Sequence, residues 1–137
     1  MYEFRISGKD LPIKDALTSD PYFTLETLRG EIIYKSKVKK KNLNPIWEEF
    51  KLTFKQLSYN LKSEIKVIVK DYDFLSKDDY MGTGYFNVDS LIGQRDACRV
   101  ELFNEKSRRS AGYLMVRVKD VKKDKEKEKT WKENDEK

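Results

Sequence analysis

EIKVIVKDYDFLSKDDY, residues 64–80, changes character at Asp71. Before it, Ile65, Val67 and Val69 alternate with Lys66, Ile68 and Lys70, the two-residue period of a strand. After it, Asp71, Asp73, Asp78 and Asp79 surround two bare apolar residues, Phe74 and Leu75. Two carboxylates about 5 Å apart repel by about 3 kcal/mol at an effective dielectric near ~20. Either a loop solvates such a cluster or a cation relieves it.

The same period recurs along the chain. Tyr2, Phe4 and Ile6 alternate with Glu3 and Arg5; Tyr22, Thr24 and Glu26 with Phe23, Leu25 and Thr27; Phe50, Leu52 and Phe54 with Lys51, Thr53 and Lys55. Val100 and Leu102 form a short run, and Leu114, Val116 and Val118 alternate with Met115, Arg117 and Lys119. Asp20-Pro21, Arg29-Gly30, Asn44-Pro45, Gly82, Gly84, Gly93 and Gly112 stand between as turn formers. Short alternating runs broken by turns predict an antiparallel β-sandwich or barrel of about eight strands. Its core is expected to hold Phe4, Ile6, Phe50, Leu52, Phe54, Ile65, Val67, Val69, Leu114 and Val116. DSLIG, residues 89–93, reads as a short helical turn.

The chain has 137 residues and a net charge of +5. That length predicts one domain, and the mild positive excess suits an anionic surface. No apolar run approaches the ~20 residues of a membrane span, and MYEFRISGKD lacks the apolar centre of a secretory signal. The single cysteine, Cys98, points to a cytosolic setting. Histidine is absent, which removes the usual general base and the commonest zinc ligand. No nucleophilic triad or phosphate-cradling glycine loop is present, so an enzyme is not expected. From Lys122 on, KKDKEKEKTWKENDEK is nearly all charge and reads as a tail or linker, disordered or a solvated single helix. Residues 1–121 are then the folded domain and 122–137 the tail.

Two acidic loops flank the strands. KDALTSDPY carries Asp15 and Asp20; DYDFLSKDD carries the other four. Loops of a sandwich gather at its two ends, so the two could form one nest of carboxylates. Calcium takes about 6–8 oxygen ligands in flexible geometry and suits such a set; the alternative is that the aspartates cap turns and face water. Counted from Asp71, the fifth and sixth positions are Leu75 and Ser76, which excludes an EF-hand loop.

Three phrases taken in order resemble the C2 domain family: Ser19-Asp20-Pro21-Tyr22, Leu43-Asn44-Pro45-Ile46-Trp47 and Asp71-x-Asp73-x5-Asp79-x-x-Gly82. The resemblance spans Met1 to Val121, and its third phrase is similar to synaptotagmin-like members. It implies an all-β fold, an eight-stranded antiparallel Greek-key β-sandwich, with two or three calcium ions (Ca2+) held by Asp15, Asp20, Asp71, Asp73 and Asp79. Ser76 and Asp78 are additional candidate ligands. The first strand running directly into the first loop, with GYLMVRVKDV as the last strand, resembles the phospholipase-type arrangement. The family's first loop usually places five residues between its aspartates, often including a glycine. Here only Ala16, Leu17, Thr18 and Ser19 lie between Asp15 and Asp20.

The resemblance also implies function. Leu17, Phe74 and Leu75 would form an apolar crown entering a membrane, each burial worth about 1.5–3 kcal/mol. YKSKVKKKN, residues 34–42, would present Lys35, Lys37 and Lys39 on one strand face, with Lys40 and Lys41 near the turn. Near an anionic membrane such lysines gain about 1 kcal/mol each. Tyr22 matches a headgroup-contacting aromatic of kinase-C-like members, but the second aromatic of that pocket is Lys70 here. The expected function is a calcium-dependent phospholipid-binding module, cytoplasmic and peripheral on membranes rich in phosphatidylserine or phosphoinositide, in signalling or vesicle trafficking. A monomer is expected, a protein partner is open, and nucleic acid is not expected, because no aromatics interleave with the lysines. The rival is a calcium-independent adaptor that binds phosphoinositide or a protein through the lysine stripe, which the shortened first loop favours.

Overall fold

The computed structural model describes residues 1–14 and 18–121. Eight strands and one helix follow in order: β1 (Tyr2–Lys9), β2 (Pro21–Glu26), β3 (Ile32–Lys35), β4 (Phe50–Leu52), β5 (Ile65–Asp71), β6 (Asp79–Phe86), α1 (Val88–Ile92), β7 (Cys98–Asn104) and β8 (Arg109–Asp120). They form one antiparallel sheet in the order β3-β2-β5-β6-β7-β8-β1-β4, curled into two layers. The chain crosses from edge strand β3 to the opposite edge at β4, then returns to place β5 between β2 and β6. The last strand lies along the first, Tyr2 opposite Asp120 and Lys9 opposite Tyr113.

The alternation of the sequence becomes burial. In β5, Ile65, Val67 and Val69 are buried while Lys66, Ile68 and Lys70 face outward. Phe4, Phe23, Leu25, Leu52, Met81, Leu114 and Val116 fill the space between the layers. The two free edges meet across that core: the Tyr34 ring of β3 stacks on the Phe50 ring of β4 at 3.6 Å, and Phe50 stacks on Phe4 at 5.1 Å.

Four expectations change. Gly82 and Gly84 are not turn residues; they lie inside β6. A Cβ at Gly82 would stand 2.8 Å from the Ala111 Cβ, and one at Gly84 2.9 Å from a Val100 methyl. Glycine is there because β7 and β8 fold closely over β6, which pairs with β7 at one position, Thr83 opposite Phe103. Gly112 likewise sits inside β8, at φ +82°. Phe54 is not core but 43 % exposed. Beyond Leu52 the Thr53 and Gln56 side chains each accept the other's backbone N–H, turning the chain and sending Phe54 out against Tyr59. The helical turn expected near Asp89 is α1, capped by the Asn87 side chain, which accepts from the Ser90 N–H. The charged segment 122–137 lies outside the described residues.

Candidate functional site at the β2, β5 and β6 strand ends

The acidic loops do share one end of the fold. Pro21 pairs with Asp71, and Asp71 with Asp79, so Asp20, Asp71 and Asp79 close three neighbouring strands in a transverse row. At the usual strand spacing of about 4.8 Å the row spans roughly 10 Å. Asp71 is 1 % exposed, and its Oδ1 accepts the Asp20 backbone N–H at 2.7 Å. The Tyr72 N–H donates in return to the Asp20 carbonyl at 3.0 Å. Asp20 Oδ1 accepts the Lys41 N–H at 2.7 Å, which ties the end of the lysine-rich segment to the same corner.

The loop beyond Asp71 is organised by its own carboxylates. Asp73 accepts from the Leu75 N–H, the Ser76 N–H and the Ser76 hydroxyl. The Leu75 N–H contributes most to holding the Asp73 carboxyl below its ordinary value, followed by the Ser76 hydroxyl. These bonds fold the turn so that Phe74 and Leu75 stand out, 79 % and 81 % exposed. Asp78 closes the loop by accepting the Asp73 N–H at 2.9 Å and the Tyr22 hydroxyl.

Tyr22, expected as a headgroup contact, is buried. Lys35 Nζ lies 5.1 Å from its ring centre and its hydroxyl is engaged by Asp78. Burial first, and the Asp78 carboxylate second, push the Tyr22 phenol well above its ordinary value, so it remains a neutral donor. The same hydroxyl is the largest cause holding Asp78 below the ordinary 3.8, ahead of the Asp73 N–H, with Lys35 and Lys70 nearby. A depressed carboxyl stabilises the fold above its unfolded value, and that stability is lost as pH falls through the folded value. Tyr22→Phe is therefore expected to bring the Asp78 titration back toward 3.8, to lower stability near neutral pH, and to shrink the part of the stability that Asp78 loses on acidification. A carboxyl-carbon NMR titration checks it; an unchanged Asp78 titration contradicts it.

The lysine segment is a strand only in part. β3 ends at Lys35, but the Ser36 N–H to Phe23 carbonyl and Lys39 N–H to Pro21 carbonyl bonds continue its pairing with β2. Lys35 and Lys37 are exposed on this extension, and Lys40 and Lys41 occupy the turn that follows. Lys39 is bound to Glu48 at 2.6 Å, which removes part of the stripe's charge. Sequence reading missed a further basic group. Lys70, Lys77 and Lys106 line a hollow of about 440 Å³ with Ile68, Tyr80, Asp78 and Asp79. Lys106 comes from the β7–β8 turn, and only the fold brings it to Tyr80, 5.5 Å from the ring centre.

The donor chemistry of this end fits calcium: every candidate ligand is oxygen, and the acids stand at strand ends and in the loop between them rather than in a rigid cage. Among the described residues, however, no three such side chains converge as a metal-holding group. Asp15 and Leu17, the first-loop ligand and crown residue, lie outside the described residues. Asp20, Asp71 and Asp79 are brought into one row; Asp73, Asp78 and Ser76 are joined within the loop above it.

Comparison with known proteins bears on the whole arrangement. Over 95 residues the chain is 40 % identical to the protein C2-DOMAIN ABA-RELATED 3 of Arabidopsis thaliana, covering 69 % of this chain and 52 % of that protein. It is also 37 % identical over 95 residues to the multiple C2 and transmembrane domain-containing protein 1 of Rattus norvegicus, covering 66 % of this chain and 10 % of that protein. The chain thus spans about half or less of these relatives. A solved C2 domain of plant extended synaptotagmin 1 superposes with a TM-score of 0.69 at 22 % identity, covering 86 % of this chain and 91 % of that one. The family model for the C2 domain matches residues 4–102, and the chain belongs to the C2 domain family.

Proposed function

We propose that this chain is a calcium-dependent module that carries its parent protein to anionic phospholipid membranes. C2 domains are binding modules rather than catalysts, typically for membranes or lipids. The observation that carries the reading is the pairing of the Asp20–Asp71–Asp79 row with the exposed Phe74 and Leu75 directly beyond it. Asp20, Asp71, Asp73 and Asp79 would hold the ion with Asp15, and Ser76 and Asp78 are candidate additional donors. Calcium, when bound, neutralises these carboxylates and offers a positive partner to a lipid phosphate. The side chains do the rest. Asp73 and Asp78 hold the loop open through their backbone bonds, and Phe74 and Leu75 enter the interface, joined by Leu17. The Lys35, Lys37, Lys40 and Lys41 ammonium groups add attraction to phosphatidylserine or phosphoinositide. Residues 1–121 would be the module and 122–137 a charged connection to the rest of a cytoplasmic parent protein in signalling or vesicle traffic.

Co-sedimentation with anionic vesicles, with calcium or with chelator, tests the reading. Binding is expected only with calcium. Phe74→Ser with Leu75→Ser is expected to weaken it by about a hundredfold at two exposed side chains, with thermal stability changed by less than about 0.5 kcal/mol. Equal binding in chelator would move the function to the lysines. That second reading is favoured by one observation: Asp73 and Asp78 already have hydrogen-bond donors that fold the loop without an ion.

A further inference from the structure

The layer facing away from the lysine stripe carries a second basic surface. Along β1 and β8, Arg5 lies directly opposite Arg117, Ser7 opposite Met115 and Lys9 opposite Tyr113. Like charges directly across a strand pair oppose each other. Arg5 is relieved by Glu49 at 2.7 Å and by Glu3 at 3.8 Å. Among the described residues no ion pair engages Arg117, Lys9 or Arg95. These cations border a groove of about 360 Å³ with Met115, Ala97, Ile46 and Trp47. Its wall is apolar where Ile46 stands 72 % exposed. Trp47 is 4 % exposed, and its indole Nε1 is buried with no hydrogen-bond acceptor among the described residues. A buried donor left unpaired is uncommon, because desolvation is then uncompensated.

We propose that this groove binds an extended acidic peptide segment of a protein partner. Charge complementarity names the occupant: Arg5, Lys9, Arg95 and Arg117 outnumber Glu49 and Asp96 around the groove. Guanidinium forks take carboxylates in bidentate pairs. Ile46 and Met115 supply the place for an apolar side chain between the acids, and Trp47 lines the groove beneath them. A membrane is a poorer fit, because a groove of this size, with apolar Ile46 and Met115 set among the cations, takes an extended chain better than a bilayer plane. This proposal does not depend on calcium or on the loop that carries Phe74.

The test uses the full chain with Trp131→Phe, so that one indole signal remains, and a labelled peptide of alternating glutamate and leucine. Fluorescence anisotropy at about 0.15 M salt is expected to show saturable binding, and the Trp47 indole N–H resonance to move with it. Arg95→Glu with Arg117→Glu is expected to weaken binding at least about tenfold. Arg95→Gln alone gives a smaller loss in the same direction, and serves if the double variant unfolds. Lys35→Glu with Lys37→Glu, on the other layer, leaves peptide binding unchanged. The proposal is overturned by any of three results: no saturable binding, an indole resonance that stays in place at saturation, or equal loss in the lysine variant. Anionic vesicle binding in calcium is expected to survive Arg95→Glu with Arg117→Glu. Its loss there, with the peptide unbound, would assign the groove to lipid and also overturn the proposal.

Discussion

Asp71→Ala is expected to lose about 1–3 kcal/mol of folding stability and all calcium-dependent vesicle binding. The first loss follows from burial. Asp71 is enclosed, and its Oδ1 is the acceptor of the Asp20 N–H, so removing it takes away that donor's partner at a part-buried corner. The second follows from position, since Asp71 is the middle acid of the row. Asp71→Asn separates the two. It keeps an oxygen for the Asp20 N–H and removes the charge, so most of the stability should return while calcium-dependent binding does not. Thermal melting and co-sedimentation of both variants check this. An Asp71→Asn protein that still sediments only with calcium would take Asp71 out of the switch.

Gly112→Ala is expected to be the most destabilising single methyl in the fold, at about 3 kcal/mol or more. Gly112 stands at φ +82°, where a side chain alone costs about 1–2 kcal/mol. Its added Cβ would also lie 2.5 Å from both the Lys9 and the Asp10 carbonyl oxygens. Overpacking against backbone adds about 1–3 kcal/mol. Those carbonyls belong to the chain as it leaves β1 for the first acidic loop, so the displacement should reach the site. Denaturant unfolding measures the loss, and calcium titration of the folded fraction reads its effect on the loop. Gly30→Ala is a useful contrast. Gly30 has φ +87° but nothing within 4 Å of a new Cβ, so only the backbone part of the penalty is expected.

Gly112's situation is not visible in its neighbours along the chain, whereas the Arg29-Gly30 turn and the strands are. Where one face of a strand meets the core and the other meets water, the pattern is written in the residues themselves. Ile65, Val67 and Val69 revealed β5, as Leu114, Val116 and Val118 revealed β8. Gly82 and Gly84 looked like breaks because their reason for being glycine lies on other strands, at Ala111 and Val100. Phe54 looked like core because the alternation continued one step past the point where the Thr53–Gln56 turn ended the strand. The acidic loops were legible as types and order, and the pairing of Pro21 with Asp71 shows them at one end. The engagement of Tyr22 by Asp78, 56 residues away, and the approach of Lys106 to Tyr80 had no local signature.

The Val121 N–H donates to the Met1 carbonyl at 3.1 Å, and both residues lie at the pole where β1 starts. β1 then runs eight residues, about 25 Å at the usual rise, before reaching the acidic loops. A tether attached at either end therefore leaves from the side turned away from whatever the loops touch. Any cargo so attached would hang clear of that surface instead of being wedged beneath the domain. A short linker could also join residue 121 back to residue 1, and new ends could be opened at the exposed Arg29–Gly30 turn. Such a circular permutant would keep every strand neighbour while moving its attachment point to a different corner of the sandwich.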